Sequence, residues 1–149
     1  MNDNNDLKIE SGIYYKEKIT LDLIINSIKK NPNITQVGSI LTFTGIVRET
    51  SKDGKPVVRM KIDAYRELAN KTILKICEKL KKKKGIIDVK IIHLKGDFEL
   101  SEDLVYVVVA SAHREEGFDT IIKAVDIYKK EIAVWKREDF VDGTSEWVH

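Results

Sequence analysis

DLVYVVVASAHREEGFDTIIKAVDIYKKEIAVWKRED, residues 103–139, decides the fold. Tyr106 to Ala110 is nearly all apolar, which is the pattern of a central strand covered on both faces. From about Glu116 to Ala133 the apolar residues recur at helical spacing instead. Working upstream, IIDVKIIHLKGDFEL (86–100) reads as a partner strand joined through the SED turn. RELANKTILKICEKLKKKK (66–84) reads as a helix with Ala69, Ile73, Ile76, Cys77 and Leu80 along one stripe, closed by Gly85. GSILTFTGIVRE and VVRMKIDAY are two strands around the turn TSKDGKP, and Gly45 in the first suggests a bulge. TLDLIINSIKK is a first helix with Thr20 as its N-cap and Leu21, Ile24, Ile25 and Ile28 as its apolar face. The order is α-β-β-α-β-β-α. It predicts an α+β fold, a mainly antiparallel sheet with three helices. One domain over residues 1–149 is expected, with residues 1–11 frayed.

The 149 residues include 26 Lys and Arg against 24 Asp and Glu, a net charge of +2. Such a balance argues against a general nucleic-acid binder, a basic-helix RNA-binding domain included, because phosphate backbones demand a basic excess on one face. It leaves room for a local pocket that takes a small anion. Cys77 has no cysteine to pair with, and His93, His113 and His149 lack ligand spacing, so no metal is expected. No apolar run approaches the ~18 residues of a membrane span. The N-terminus does not read as a signal peptide, and a cytoplasmic location is expected.

On a wheel of the 116–133 helix, Phe118, Ile121, Ile122, Val125, Tyr128 and Ile132 fall within an arc of roughly 120°. Lys129 falls inside that arc, whereas Lys123 and Lys130 lie opposite. Lys129 therefore projects from the face expected to be buried. Either it snorkels to water or to a carboxylate, or it lines a cavity where desolvation and nearby cations lower its pKa. His113 and Arg114 stand where the central strand meets the helix, next to unpaired first-turn N–H groups that favour an anion. Glu115 and Glu116 could serve that helix end themselves. Arg48 closes the strand with the bulge, and Lys136 and Arg137 leave the helix as loop charges. Arg48, Arg114, Lys129 and Lys136 are cations at element ends or on an unexpected face.

TFTGIVRE, SAHREEGFDTI and VWKRED, in this order and at these separations, resemble the large subunit of molybdopterin synthase. The resemblance runs from about Thr20 to Trp147. It implies an α/β-hammerhead-like fold and a sulfurtransferase that converts cyclic pyranopterin monophosphate into the dithiolene of molybdopterin. It also implies a partner, a small sulfur-carrier subunit ending in a Gly-Gly thiocarboxylate, and a homodimer of large subunits inside a heterotetramer, with pocket residues from both large subunits building each site. By position it makes Lys129 and Lys136 catalytic, and Arg48, His113, Arg114 and Lys136 substrate-binding. No cofactor is implied. This chain finishes SEWVH, without a Gly-Gly end, so the sulfur is expected from the partner. Leu94 after His93, Asp63-Ala64 before Tyr65, Ala133 before Val134-Trp135 and an end soon after Trp147 depart from the family pattern. The alternative is a non-catalytic dimeric module that binds a pterin or nucleotide phosphate.

Overall fold

The computed structural model describes residues 8–148. The elements run β1 (Gly12–Tyr15), α1 (Leu21–Ile28), β2 (Ser39–Ile46), β3 (Val57–Ala64), α2 (Arg66–Lys81), β4 (Ile86–Glu99), β5 (Asp103–Ser111), α3 (Arg114–Glu131), β6 (Val134–Phe140) and β7 (Ser145–Val148). The sheet has the order β2-β5-β4-β3-β6-β7, each neighbour antiparallel, and β1 lies parallel to β4. This is the α+β fold with three helices and a mainly antiparallel sheet that the sequence predicts.

β5 sits between β2 and β4, and Val107, Val108, Val109 and Ala110 are completely buried there. Burying one such branched side chain is worth about 1.5–3 kcal/mol, which is why this run holds the centre. The two faces of β4 are covered by different elements. His93 meets Tyr128 of α3 edge-on, while Asp88, in the opposite phase of the pleat, accepts a bond from Asn31 just after α1. Thr20 caps α1 as expected, accepting from Leu23 N at 3.3 Å.

β1 and the pair β6–β7 were not legible in the sequence. Residues 134–140 are not a loop but a strand against β3, with Lys136 opposite Ile62. Of the segment expected to be frayed, residues 1–7 lie outside the described residues. The rest is tied down: Ile9 N donates to Ser27 Oγ at 2.9 Å, and the buried Ser11 accepts from Ile91 N at 3.1 Å.

The expected buried arc of α3 is also corrected. Its buried residues are Gly117, Thr120, Ala124 and Tyr128, whereas Phe118 and Ile122 are 53% and 61% exposed. Small residues let the helix come close to the sheet, and that approach outweighs the larger apolar side chains in choosing the face. A Cβ on Gly117 would stand 2.6 Å from Ser111 Oγ and 3.0 Å from Leu41 Cδ1. Ser111 Oγ cannot easily give way, since it donates to His113 O at 2.7 Å and meets Ser39 Oγ at 2.8 Å. Alanine is the better helix former by about 1 kcal/mol. Gly117→Ala is nevertheless expected to destabilise by about 1–3 kcal/mol through overpacking, read as a lower urea midpoint. A raised midpoint would mean that the interface relaxes.

Candidate active site

β2 leaves its pairing with β5 through a bulge between Gly45 and Ile46. The exit is pinned at once: Val47 N donates to Glu102 O at 3.0 Å, and Ser101 N donates to Val47 O at 2.8 Å. The next residues, Arg48, Thr50 and Lys52, border a cavity of about 350 Å³. Met60 of β3, Val105 of β5 and Tyr128 of α3 contribute to its lining, with Lys129, Lys136 and Glu138. Strand periodicity on β6 explains the last pair. Lys136 and Glu138 face the cavity, and Arg137 and Asp139 face away from it. Arg137 Nε donates to Asp139 Oδ1 at 2.9 Å, and its guanidinium lies 5.9 Å from the Trp147 ring centroid.

The lining carries four cations, Arg48, Lys52, Lys129 and Lys136, against the single carboxylate of Glu138. Burial pulls the Lys136 amine below its ordinary pKa, the Lys129 charge adds to that, and Glu138 opposes it. Burial raises the Glu138 carboxyl, and Arg48 pulls it back down. Burial alone pushes the Tyr128 phenol up to about 12, so it stays protonated. Behind Lys129 and Lys136 lies a second cavity of about 240 Å³, also lined by His93, Tyr128, Ile132, Val134 and Val148. One desolvated amine, Lys136, with further cations around the same cavity is chemistry suited to holding an anion and moving a proton.

Arg48, Lys129 and Lys136 are thus brought together, but the two lysines exchange characters relative to the sequence reading. Lys129 lies on the exposed side of α3, about 120° around the helix from the centre of the buried stripe. The desolvated amine is Lys136, read as a loop charge because β6 was not recognised. His113 and Arg114 are not part of this pocket in the same chain. They follow the far end of β5, and from Val105 to His113 a strand spans about 26 Å at ~3.3 Å per residue. Both are exposed, with His113 Nδ1 3.7 Å from Glu116 Oε2 and Arg114 Nε 3.7 Å from Glu115 Oε1. Glu138, Tyr128, Lys52 and His93 were missed. Alternation along WKREDF would have revealed Glu138 once that segment was read as a strand.

Such a fold and pocket define an anion-handling enzyme subunit built on an antiparallel sheet. A family model described as MoaE protein matches residues 15–131. The chain is 35% identical over 127 residues to the molybdopterin synthase catalytic subunit of Thermoplasma volcanium, covering 85% of this chain and 88% of that one. It is 35% identical over 112 residues to the catalytic subunit of Pyricularia oryzae, covering 75% of this chain but only 61% of that relative's length. Among solved structures, molybdopterin synthase from Staphylococcus aureus superposes with a TM-score of 0.81 at 27% identity, over 93% of this chain and 96% of that one. The chain belongs to the MoaE family, and with it to the molybdopterin synthase catalytic subunits. Among the described residues, no helix is long and apolar enough to cross a membrane.

His93 gives this site a pH signature in stability. Burial, and secondarily the Lys136 charge, lower its pKa from 6.5 to about 4. Between those values the unfolded chain binds the extra proton, so stability rises with pH. The contribution is full above pH 6.5 and is lost as the pH falls to 4; the span corresponds to about 3 kcal/mol. Chemical denaturation of His93→Gln across this range is expected to give a flatter acid arm than the parent. Parallel arms would show that His93 protonates in the folded state as it does in the unfolded chain.

Proposed function

We propose that this chain catalyses the transfer of sulfur to cyclic pyranopterin monophosphate, taking it from the C-terminal Gly-Gly thiocarboxylate of a small carrier subunit. The observation that carries this reading is the cavity lined jointly by Arg48, Lys129 and Lys136, the last of them desolvated, in a MoaE-family chain. Arg48 and the lysines bind the substrate phosphate through charge-assisted hydrogen bonds. Attack by the thiocarboxylate sulfur, and departure of the oxygen leaving groups, require protons to be delivered and anionic charge to be stabilised. Lys129 and Lys136 do that work. A Lys136 amine held below its ordinary pKa exchanges a proton more readily than a solvated lysine.

His113 and Arg114 enter the site from a second copy of the chain. Their distance from Arg48 along β5 is what motivates this assignment. The working unit is a homodimer of large subunits inside a heterotetramer, with one catalytic domain over residues 1–149, in the cytoplasm. A solved Helicobacter pylori structure is described as a complex of subunits 1 and 2 of molybdopterin-converting factor, and an equivalent pairing is part of this reading.

Single-turnover conversion of cyclic pyranopterin monophosphate, with a thiocarboxylated carrier supplied, tests the reading. Lys136→Ala is expected to slow the step by about 10²–10⁴-fold, the range for a lost proton-transfer group. Arg114→Ala should also fail. Mixed dimers of the Lys136→Ala and Arg114→Ala chains should regain activity, because each retains one intact composite site. No gain in the mixed dimer would return His113 and Arg114 to a surface role. Tight substrate binding without turnover by the parent would favour the phosphate-binding module.

A further inference from the structure

The outer and inner cavities share part of their lining: Tyr128, Lys129, Lys136 and Val148 border both. Arg48 and Glu138 border only the outer one, and His93 only the inner one. The shared residues therefore mark the junction of the two spaces. Val148 is apolar, so the polar side-chain groups they bring to the junction are two amines and a phenol. An ammonium only donates hydrogen bonds, and a neutral phenol readily does.

Tyr128 is the member that the chemistry above leaves unused. It is 4% exposed, and its ring is held edge-on to His93, with centroids 6.1 Å apart and planes at 78°. A buried tyrosine ordinarily gives its hydroxyl a partner. Tyr14 donates to the carbonyl oxygen of Glu10 at 2.7 Å, and Tyr106 donates to Asp103 Oδ2. Among the described residues no group bonds the Tyr128 hydroxyl, and burial alone moves its pKa, to about 12. The buried oxygens sealed from solvent without a partner are Glu116 Oε2 and Thr120 Oγ1. The Tyr128 hydroxyl is thus unpaired but not sealed, and it opens on the space that its residue lines.

We propose that the Tyr128 hydroxyl is a substrate contact, a neutral donor that completes, with the Lys129 and Lys136 amines, a cradle for one oxyanion group at the junction of the two cavities. An oxyanion offers several accepting oxygens and no donor, which matches three converging donors. The phenol adds a hydrogen bond without adding positive charge, so it does not push Lys136 further toward neutrality as a third amine would. Under the sulfur-transfer reading, on which the identity of the occupant rests, that group is the substrate phosphate or the C-terminal carboxyl group of the carrier.

The test compares the parent with Tyr128→Phe, which keeps the ring against His93 and removes only the hydroxyl. Two probes are titrated without turnover: cyclic pyranopterin monophosphate, and a peptide ending in Gly-Gly with a free carboxylate. One of them is expected to bind the variant about 10- to 100-fold more weakly, the range for a hydrogen bond to a charged group, and the probe affected identifies the occupant. In tyrosine-labelled parent, the Tyr128 13Cζ signal, assigned by its loss in the variant, should move as the same probe saturates. Equal affinities for both probes, a 13Cζ signal that stays in place, or a parent that binds neither probe would overturn the proposal. The hydroxyl has no partner within the protein, so the urea midpoint of Tyr128→Phe should equal or exceed that of the parent. A clear fall would show that the hydroxyl is bonded inside the protein, and would overturn the proposal as well. Tyr128-dependent binding in a parent that transfers no sulfur would count against the enzyme reading and leave the cradle standing.

Discussion

β4 pairs with β5 along one edge and, along the other, first with β1 and then with β3. Continuity through this change of partner is the constraint on which the pocket depends. β1 ends its pairing at Lys95, and β3 begins at Gly96, whose φ of +129° is one that residues with a side chain rarely adopt. If β4 stopped at His93, β3 would have no edge to join. β6 and β7 would then follow it out of register. Lys136, Glu138 and Val148 reach the cavity only because β6 is carried on β3, and β3 on the far half of β4.

The other wall of the pocket is set by how closely α3 approaches the sheet. Gly117, Thr120 and Ala124 occupy the contact, so the helix turns Tyr128 inward and leaves Phe118 and Ile122 toward water. Lys129, adjacent to Tyr128, is thereby placed at the rim of the pocket and not in the core. Rotating the helix to bury Phe118 and Ile122 would drive Lys129 into the core without a carboxylate to meet it, at a cost of several kcal/mol. Packing of small residues and placement of Lys129 at the pocket rim are therefore satisfied by one helix rotation.

These two constraints also explain what the sequence reveals. The β4–β5 pair and α2 were legible because each carries a long apolar pattern of one period. β6 was not, because WKREDF holds only aromatic residues at its ends, and its buried side includes Glu138, which a hydropathy reading assigns to solvent. α3 was recognised as a helix, but its face was misread because apolar size was weighted above small-residue contact. Arg48, Lys129 and Lys136 were singled out from their sequence positions and from family resemblance, whereas the depth of Lys136 is a tertiary property. His113 and Arg114 illustrate a different limit. A motif can single out residues without saying that a strand separates them from the pocket of their own chain.

Burial acts unequally on the polar groups of the pocket. It pushes Tyr128 up to about 12, so the phenol stays neutral. Lys136 is pushed toward neutrality by burial and by Lys129, and Glu138 opposes that shift; the Glu138 carboxyl is itself raised by burial and pulled back down by Arg48. Negative charge placed beside Lys136 would raise its pKa, against the effects of burial and of Lys129. Lys129 stands at the exposed rim and Lys136 is largely withdrawn from water, so the field of a nearby charge is screened less at Lys136.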